Sequence, residues 1–313
     1  MKRPSSLTIA SRPLRLFSPK GFVRKVVETV TGTERYATHR SLLKYTLNGL
    51  RKINHRPICD PVLRSSCSDR LIVMGFNQNL PWAIHARRSG RVRFLAMGPP
   101  MANANRAELL RFVPVQAWID TILNPSEYYR LRCCEEAPEL AHLFTTWSCG
   151  VDVDYWSPAA SCGVRNRVLV YQKNAPDEIY RRVLDVLSRL PFELDILPYG
   201  SYTATDYKRA LQGAFCAVFL SKWESQGVAL AEAWACDVPT FVWRSDATST
   251  RPYSAPLLTE ATGRIFHEPS ELSHYVSQCS SQSDFRPREW VINNLTEELQ
   301  ARRLLQICGI ATE

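Results

Sequence analysis

The amino-acid sequence predicts an α/β protein in which parallel sheets are covered by helices. From residue 167 onward, apolar runs of strand length alternate with segments of helical periodicity, which is typical of strand–helix–strand units with right-handed crossovers. Gly150 and Pro158 interrupt the chain between this half and an earlier half that has strand-to-loop transitions of its own. Because 313 residues suffice for two domains of ordinary size, we predict two such domains.

The elements of the second half follow one another in a regular order. RVLVYQ (167–172) is rich in β-branched and aromatic residues and predicts a strand. Residues 177–190 begin with acids and carry one apolar stripe at helical spacing, so they predict a helix. Further strands are predicted in FELDILPYG, FCAVFLS and PTFVWRS, with helices between them. Ligands of such sheets bind at the carboxyl ends of the strands, which draws attention to the segment after FCAVFLS.

Residues 221–239, SKWESQGVALAEAWACDVP, are the most informative stretch for function. Glu224 and Glu232 stand eight positions apart in a segment that is otherwise rich in Ala, Val and Trp. Two carboxylates on such a helix would be costly to bury unless they served a ligand. The alternative is an ordinary buried amphipathic helix between two strands.

The beginning of this helix is a candidate anion site. Ser225 is predicted as the N-cap, because its hydroxyl can accept a hydrogen bond from a free amide of the first turn. The amides of Gln226, Gly227 and Val228 would then lie at the positive end of the helix dipole and could hold a phosphate without a basic side chain. Glu232, two turns after the cap, would point to the same face.

The spacing of Ser221, Glu224, Gly227, Glu232 and Pro239 resembles the donor-binding signature of retaining GT-B glycosyltransferases of the group 1 family. The two alanines that follow the second glutamate also match. The family usually has glycine two residues before the proline, where this chain has an aspartate that tolerates the left-handed C-cap conformation. The resemblance implies the GT-B fold, with two Rossmann-like domains facing across a cleft and a C-terminal helix that crosses back to the first domain.

The resemblance also implies an activity. It implies a hexosyl-type glycosyltransferase that moves a sugar from a nucleotide-sugar to an acceptor hydroxyl, with retention and without a metal. Glu224 would be the catalytic residue and would orient the donor sugar, whereas Glu232 would bind the ribose. No cofactor is expected beyond the nucleotide-sugar co-substrate, and the acceptor would be a glycan, a lipid-linked sugar or a small molecule. The alternative is a non-catalytic GT-B-like protein that binds nucleotide or glycan or serves as a partner subunit.

Two further donor-binding residues are implied by the resemblance. Lys173 stands near the place where the family grips the donor diphosphate, although this chain has no second basic residue until Arg181. The alternative for Lys173 is a solvated surface lysine. Tyr202, in the loop 199–202, stands where the family lines the nucleotide base, so it could stack on that base or pack in the turn.

The same resemblance divides the chain. TWSCGVDVDYWSP (146–158) is similar to the family's hinge, with Trp156 in the aromatic place. The predicted domains are an acceptor domain over 1–149 and a donor domain over 150–289. Residues 290–313 are predicted to form one long amphipathic helix that packs on the first domain.

The first half offers three acceptor-side candidates. Gly32, with Glu34 and Arg35, matches part of the glycine loop that opens the family's first long helix. Asn77 and Asn79 stand where relatives often carry an acceptor-side histidine, and their amides can hydrogen-bond sugar hydroxyls. A turn formed by these asparagines is the alternative.

Composition bounds the location and the chemistry. No apolar run reaches the roughly 18 residues of a transmembrane helix, and the basic N-terminus lacks the apolar core of a secretory signal. The ten cysteines form no CxxC pair, and none of the six histidines lies at ligand spacing from a cysteine pair, so we expect buried reduced thiols, no metal site and a cytoplasmic protein.

Positive charge is concentrated at the N-terminus. Residues 1–56 contain 13 Lys or Arg and 2 Glu, a net charge of +11, whereas the whole chain carries +9. Such a region could dock on an anionic membrane surface at the cytoplasmic face, or it could be a solvated helix face. Nucleic acid is not expected as a partner, because the sequence carries no recognised nucleic-acid-binding motif.

Overall fold

The chain forms two compact units, each built on one parallel sheet, in a computed structural model that describes residues 6–11, 38–59, 67–74, 79–99, 105–160, 165–245, 254–281 and 284–311. The first unit joins the first strand, His39–Gly150 and the chain from Glu297 onward. The second unit contains Val151–Thr296. The predicted pair of α/β domains is therefore confirmed.

The first unit carries a sheet of six described strands in the order β2-β1-β3-β4-β5-β6. All of the neighbouring strands in this sheet pair in parallel. Its elements before the hinge are β1 (Leu7–Ala10), α1 (Thr38–Lys52), β2 (Ile58–Cys59), β3 (Arg70–Val73), α2 (Leu80–Arg88), β4 (Phe94–Met97), α3 (Arg106–Leu109), a 3-10 helix (Leu110–Trp118), β5 (Thr121–Asn124), α4 (Glu127–Glu136), a 3-10 helix (Pro138–Leu143) and β6 (Phe144–Thr146). Consecutive residues of β3 are fully buried, as expected where helices cover both faces of a sheet.

The second unit carries a sheet of five described strands in the order β11-β10-β9-β7-β8, again all parallel. Its elements are β7 (Arg167–Gln172), α5 (Asp177–Leu187), β8 (Glu193–Pro198), α6 (Ala204–Gly213), β9 (Ala214–Leu220), α7 (Val228–Ala235), β10 (Thr240–Trp243), β11 (Gly263–Phe266), α8 (Glu271–Ser281) and α9 (Pro287–Asn294). The predicted alternation of strands and helices is confirmed, including the strand at 167–172.

The strand order of the second sheet reverses beside β7. The chain passes from β7 to β8 on one side and then returns to place β9 on the other side of β7. In doubly wound sheets, such a reversal leaves a crevice at the carboxyl ends of the two strands that flank it, and ligands bind there. The residues that follow β7 and β9 therefore occupy the expected binding edge of this unit.

The single long helix predicted from residue 290 is wrong, because the structure contains two helices. α9 ends at Asn294, and Leu295 and Thr296 leave the helical path to bond with the hinge, where the Val151 amide donates to the Leu295 carbonyl at 2.9 Å. The last helix, α10 (Glu297–Ile307), belongs to the first unit. No glycine or proline marks this break in the sequence, and the amphipathic pattern continues through it.

α10 packs closely against α1, as the resemblance implied. A Cβ atom added to Gly49 would lie only 2.2 Å from the Glu297 carbonyl oxygen. Beside this contact, the Lys52 ammonium lies 3.1 Å from the buried Glu297 carboxylate and 3.2 Å from that of Glu298. Among the described residues, no helix is long and apolar enough to cross a membrane.

We expect Gly49→Ala to lower the free energy of unfolding of the first unit by about 1–3 kcal/mol, because a methyl group in this contact forces the two helices apart. Chemical unfolding with a spectroscopic readout measures the change. Gly213→Ala is the matched control, since a Cβ there meets only the Arg167 side chain at 3.7 Å. The control should leave stability unchanged or raise it by up to about 1 kcal/mol. Equal stability of Gly49→Ala and the unmodified chain would contradict the packing described.

Candidate functional site

The candidate site begins where β7 and β9 end. Their register pairs Gln172 with Leu220, and the Lys173 amide donates to the Leu220 carbonyl at 3.1 Å. Lys173 therefore lies beside Ser221, although the two are far apart in sequence. The parallel pairing of the two strands therefore brings Lys173, which is predicted to bind the diphosphate, to the start of the segment 221–239.

An ion pair lies at the centre of this edge. The Lys173 ammonium is 2.7 Å from Oε1 of Glu224, and both side chains are largely buried, with 19% and 17% of their surface exposed. The Ser221 hydroxyl lies 3.1 Å from the same carboxylate oxygen. A carboxylate held by a cation and a hydroxyl has a fixed orientation. Because the ion pair is partly buried, dissolved salt weakens its attraction less than it would weaken that of a surface pair.

Asn174 also lies in the candidate site, although the sequence pattern does not predict it there. Its side-chain oxygen accepts a hydrogen bond from the Lys222 amide at 2.7 Å and lies 3.3 Å from the Ser221 hydroxyl. The amide side chain thus ties the end of β7 to the turn after β9. The position of Asn174 directly after Lys173 is the one local sign of this role. Its partners are 47 and 48 residues away in the sequence, so local pattern does not reveal the contacts.

α7 begins later than predicted, and Ser225 is not its N-cap. The N-cap is Gly227, which adopts a left-handed conformation with φ 79°, and α7 starts at Val228. A Cβ atom on Gly227 would lie 2.9 Å from the Leu230 side chain, so both the backbone angle and the space favour glycine. The amides without a partner inside the helix therefore run from Gly227 to Leu230, and Gln226, which is buried, precedes them.

The other end of α7 closes as predicted. Asp237 has φ 59°, the left-handed conformation expected for the residue in the family's glycine place. The Asp237 amide donates to the Trp234 carbonyl at 2.9 Å, and the Val238 amide donates to the Ala233 carbonyl at 3.0 Å. These two bonds form a Schellman motif, which satisfies the last carbonyls of the helix.

Arg288 of α9 holds this end of α7 against the hinge. Its guanidinium donates to the Ala235 carbonyl of α7, to the Trp156 carbonyl at 3.1 Å and to the Val153 carbonyl at 3.2 Å. A cation at the C-terminus of a helix interacts favourably with the helix dipole. The arrangement fixes the direction in which the N-terminus of α7 points.

Glu232 is fully buried on the second turn of α7. The pKa of the nearby Cys236 thiol is raised to about 12, first by burial and then by the negative charge of Glu232. A ribose can reach a carboxylate in this position only if the surrounding side chains move. Beside it, the Tyr207 hydroxyl donates to the Ala229 carbonyl in the first turn of α7 at 2.7 Å.

Tyr202 is not placed to stack on a base. It is buried, its hydroxyl donates to the Tyr171 hydroxyl at 2.8 Å, and its ring packs against Tyr171 and Tyr207. Burial raises the pKa of Tyr202 and of Tyr171 well above the usual tyrosine value, so both hydroxyls stay protonated. The packing alternative considered for Tyr202 is the one that the structure supports.

Tyr199 has the exposure that Tyr202 lacks. It is 42% exposed, and the Lys173 ammonium lies 5.0 Å from the centre of its ring. The sequence places both tyrosines in the same short loop, and only the fold distinguishes the one that faces solvent from the one that faces the core.

The acceptor-side candidates are only partly covered by the structure. Gly32 and Asn77 lie outside the described residues. Asn79 is buried at the N-cap position of α2, in the first unit, where the Ala83 amide donates to its carbonyl at 2.9 Å. In the described part of the chain, no group of three or more acidic, histidine or cysteine side chains is placed to hold a metal ion.

Solved structures resemble the chain along nearly its full length. HepE from Anabaena, solved in complex with UDP, matches with a TM-score of 0.60 and 10% identity over 97% of this chain and 99% of that one. A glycosyltransferase from Rickettsia africae ESF-5 matches with a TM-score of 0.61 and 12% identity over 97% and 98% of the two chains. Sucrose-phosphate synthase from Thermosynechococcus elongatus matches with a TM-score of 0.55 and 11% identity over 96% and 98%.

No protein-family model matches the chain, and no curated protein matches it in sequence. The structural likenesses are therefore the finding that places this chain among known proteins, and at 10–12% identity they show the fold alone. Together with the two parallel sheets, they show that the chain has the GT-B fold.

Proposed function

We propose that the protein is a glycosyltransferase that moves a sugar from a nucleotide-sugar to an acceptor hydroxyl. One observation carries the proposal: the Lys173–Glu224 pair, with its 2.7 Å contact, lies at the reversal point of the second sheet beside the N-terminus of α7. This is the edge where doubly wound sheets bind nucleotides. The likeness to HepE supports the proposal, because HepE was also solved in complex with UDP-glucose.

The first task of such an enzyme is to stabilise the nucleoside diphosphate as it leaves. Negative charge grows on the phosphates while the glycosidic bond breaks, and groups already aimed at that charge lower the barrier most. Lys173 supplies a cation, and the amides of Gly227, Val228 and Ala229 supply donors at the positive end of α7. We propose that these groups stabilise the leaving nucleoside diphosphate without a metal ion.

The second task falls to Glu224. In the structure its charge is neutralised by Lys173. A donor diphosphate offers Lys173 a stronger partner, and the hydroxyls of the donor sugar then become hydrogen-bond donors to Glu224. In this proposal the carboxylate also stabilises a positively charged, oxocarbenium-like anomeric centre. With retention, the leaving phosphate takes the acceptor proton, so no separate general base is required.

The remaining assignments complete the proposal. Tyr199, rather than Tyr202, stacks on the base, since its exposed ring lies beside Lys173. Glu232 binds the ribose after the side chains over it move. Gly32, Asn77 and Asn79 stay acceptor-side candidates, and the acceptor is a glycan, a lipid-linked sugar or a small molecule. We propose that a hexose is transferred, in the cytoplasm or at the cytoplasmic face of a membrane.

One observation favours the alternative function. A fully buried Glu232 is not open to a ribose, which disfavours turnover of a nucleotide-sugar more than it disfavours a non-catalytic GT-B-like glycan-binding module or partner subunit. Incubation with a panel of radiolabelled nucleotide-sugars, followed by measurement of released nucleotide, separates the two functions. A glycosyltransferase releases nucleotide from at least one donor when an acceptor is present, or slowly to water. Binding of a nucleotide with no release from any donor supports the module.

We expect Glu224→Gln to lower turnover at saturating donor by about 10²–10³-fold, the scale of one preorganised electrostatic group. Affinity for the nucleoside diphosphate should stay the same or increase, because Lys173 loses its competing partner. Released nucleotide and calorimetric titration measure the two quantities. Glu193→Gln is the matched control: Glu193 pairs with Arg167 at 3.0 Å on the opposite edge of the sheet and is exposed. Unchanged turnover in Glu224→Gln would remove this residue from the mechanism.

Chelation tests the metal-free assignment of the leaving group. Because protein groups neutralise the diphosphate in this proposal, turnover measured with EDTA should equal turnover measured without it. Restoration by manganese or magnesium of an activity lost to EDTA would show that a cation holds the phosphates. Asp152 and Asp154 would then need to be tested as its ligands.

Vesicle binding tests the membrane assignment. The basic N-terminal region should hold the protein on anionic vesicles in co-sedimentation, and the bound fraction should fall as salt increases, because exposed charges are screened beyond about 10 Å at 0.1 M salt. Neutral vesicles are the control. Equal binding to both kinds of vesicle, or to neither, would rule out electrostatic docking.

A further inference from the structure

Arg244 carries two buried hydrogen-bond donors that the site described above does not use. It directly follows β10, and its Nε and Nη2 atoms are buried and have no hydrogen-bond partner among the described residues. Two buried donors without a described partner are costly to a folded protein, although Arg244 as a whole is only partly buried. These two nitrogens form one edge of the guanidinium, which binds an oxyanion through two parallel hydrogen bonds. The side chain therefore has the geometry of an oxyanion ligand.

The sheet places Arg244 beside the candidate site. The register of β9 and β10 pairs Val242 with Phe219, and continuing it by two residues sets Arg244 opposite Ser221. Lys173 lies on the other side of Ser221 by the register of β7 and β9. Neighbouring strands are about 4.8 Å apart. Ser221 is thus flanked by two cations, one on each adjacent strand.

The next strand continues this row. Trp243 pairs with Phe266, and the Arg244 amide donates to the Phe266 carbonyl at 3.0 Å, so His267 follows at the level of Arg244. The Nδ1 atom of His267 is also buried and lacks a hydrogen-bond partner within the described chain. Two adjacent strand ends with unsatisfied polar atoms point to one ligand that satisfies both.

A diphosphate carries more negative charge than one lysine neutralises, so a second cation beside Lys173 would complete its binding at this edge. Arg181 is the next basic residue in the sequence, but it does not supply that cation. It is exposed on α5, and its Nε donates to the Asp177 carbonyl of its own helix at 3.3 Å. Arg244 is the arginine that the sheet brings to the site.

The order of residues along the edge assigns the ligand. Tyr199, next to Lys173, marks the β8 side, where the base is proposed to lie. Arg244 lies on the far side of Ser221 from that tyrosine. A nucleotide that extends from Tyr199 past Lys173 therefore brings its terminal phosphate, the one farther from the base, to Arg244. We propose that Arg244 binds this phosphate and selects nucleoside diphosphates over monophosphates. The inference rests on the proposed function for the identity of the ligand.

Calorimetric titration of UDP, GDP and ADP and of the matching monophosphates tests the proposal. Arg244→Gln should weaken diphosphate binding by roughly 10- to 100-fold, the range for hydrogen bonds to a charged group. Monophosphate binding should change by less than about threefold, and Arg244→Lys, which keeps the charge without the two-donor edge, should be intermediate. Arg181→Gln removes an equal charge from the same unit and should change neither.

Thermal unfolding separates ligand binding from a structural role. Removal of two buried donors that have no partner among the described residues should leave the melting temperature of Arg244→Gln unchanged or raise it. A lower melting temperature, accompanied by equal losses of mono- and diphosphate binding, would show that Arg244 supports the fold and would overturn the proposal.

Inorganic pyrophosphate and two nucleotide-sugars complete the test. The unmodified protein could bind pyrophosphate but no nucleotide, with pyrophosphate binding lost in Arg244→Gln. That result would refute the proposed function but would still show that Arg244 binds an oxyanion. An unchanged preference for diphosphates in Arg244→Gln would refute the inference and keep the function. If only UDP-glucuronic acid, and not UDP-glucose, binds more weakly to the variant, the oxyanion is a sugar carboxylate and the phosphate assignment is wrong.

Discussion

The position of β9 between β7 and β10 determines where every group of the candidate site lies. The backbone hydrogen bonds of parallel strands fix the level at which each strand ends, and here three ends bring Lys173, Ser221 and Arg244 to one edge. α7 starts from the same edge, because the loop after β9 leads directly into it. A slip of β9 by one residue would move each of its side chains to the opposite face of the sheet and separate these groups.

The charges at this edge are balanced in a way that suits a ligand with several negative groups. Lys173 and Glu224 neutralise one another, whereas two donors of Arg244 have no partner in the described part of the chain, and the N-terminus of α7 follows shortly after Glu224. In the proposed mechanism, a diphosphate binds the two cations together, and the carboxylate that it displaces becomes available to a sugar. Under that proposal, donor binding and the release of Glu224 for the sugar are one exchange of partners.

Support for the site comes from the opposite end of α7. Arg288 and the Schellman motif at Asp237 occupy the last carbonyls of the helix, so α7 is held at its C-terminus and presents its N-terminus. Gly227 completes this arrangement, because its left-handed conformation starts the helix only after the loop has turned. The predicted cap at Ser225 was wrong for this reason. A side-chain hydroxyl can cap a helix, but the backbone angle of the glycine decided where the helix begins.

Local pattern alone determined the order of strands and helices from β7 to β10, the signature segment around Glu224 and the left-handed turn at Asp237, because each depends on neighbouring residues. Only the tertiary structure decided the rest. The pairing of Lys173 with Glu224, the place of Arg244 and the burial of Glu232 depend on strands that are distant in sequence. Exposure in the 199–202 loop and the break before α10 also depend on packing against residues far along the chain. Hydrogen-bond register and burial are properties of the folded chain, and periodicity does not encode them.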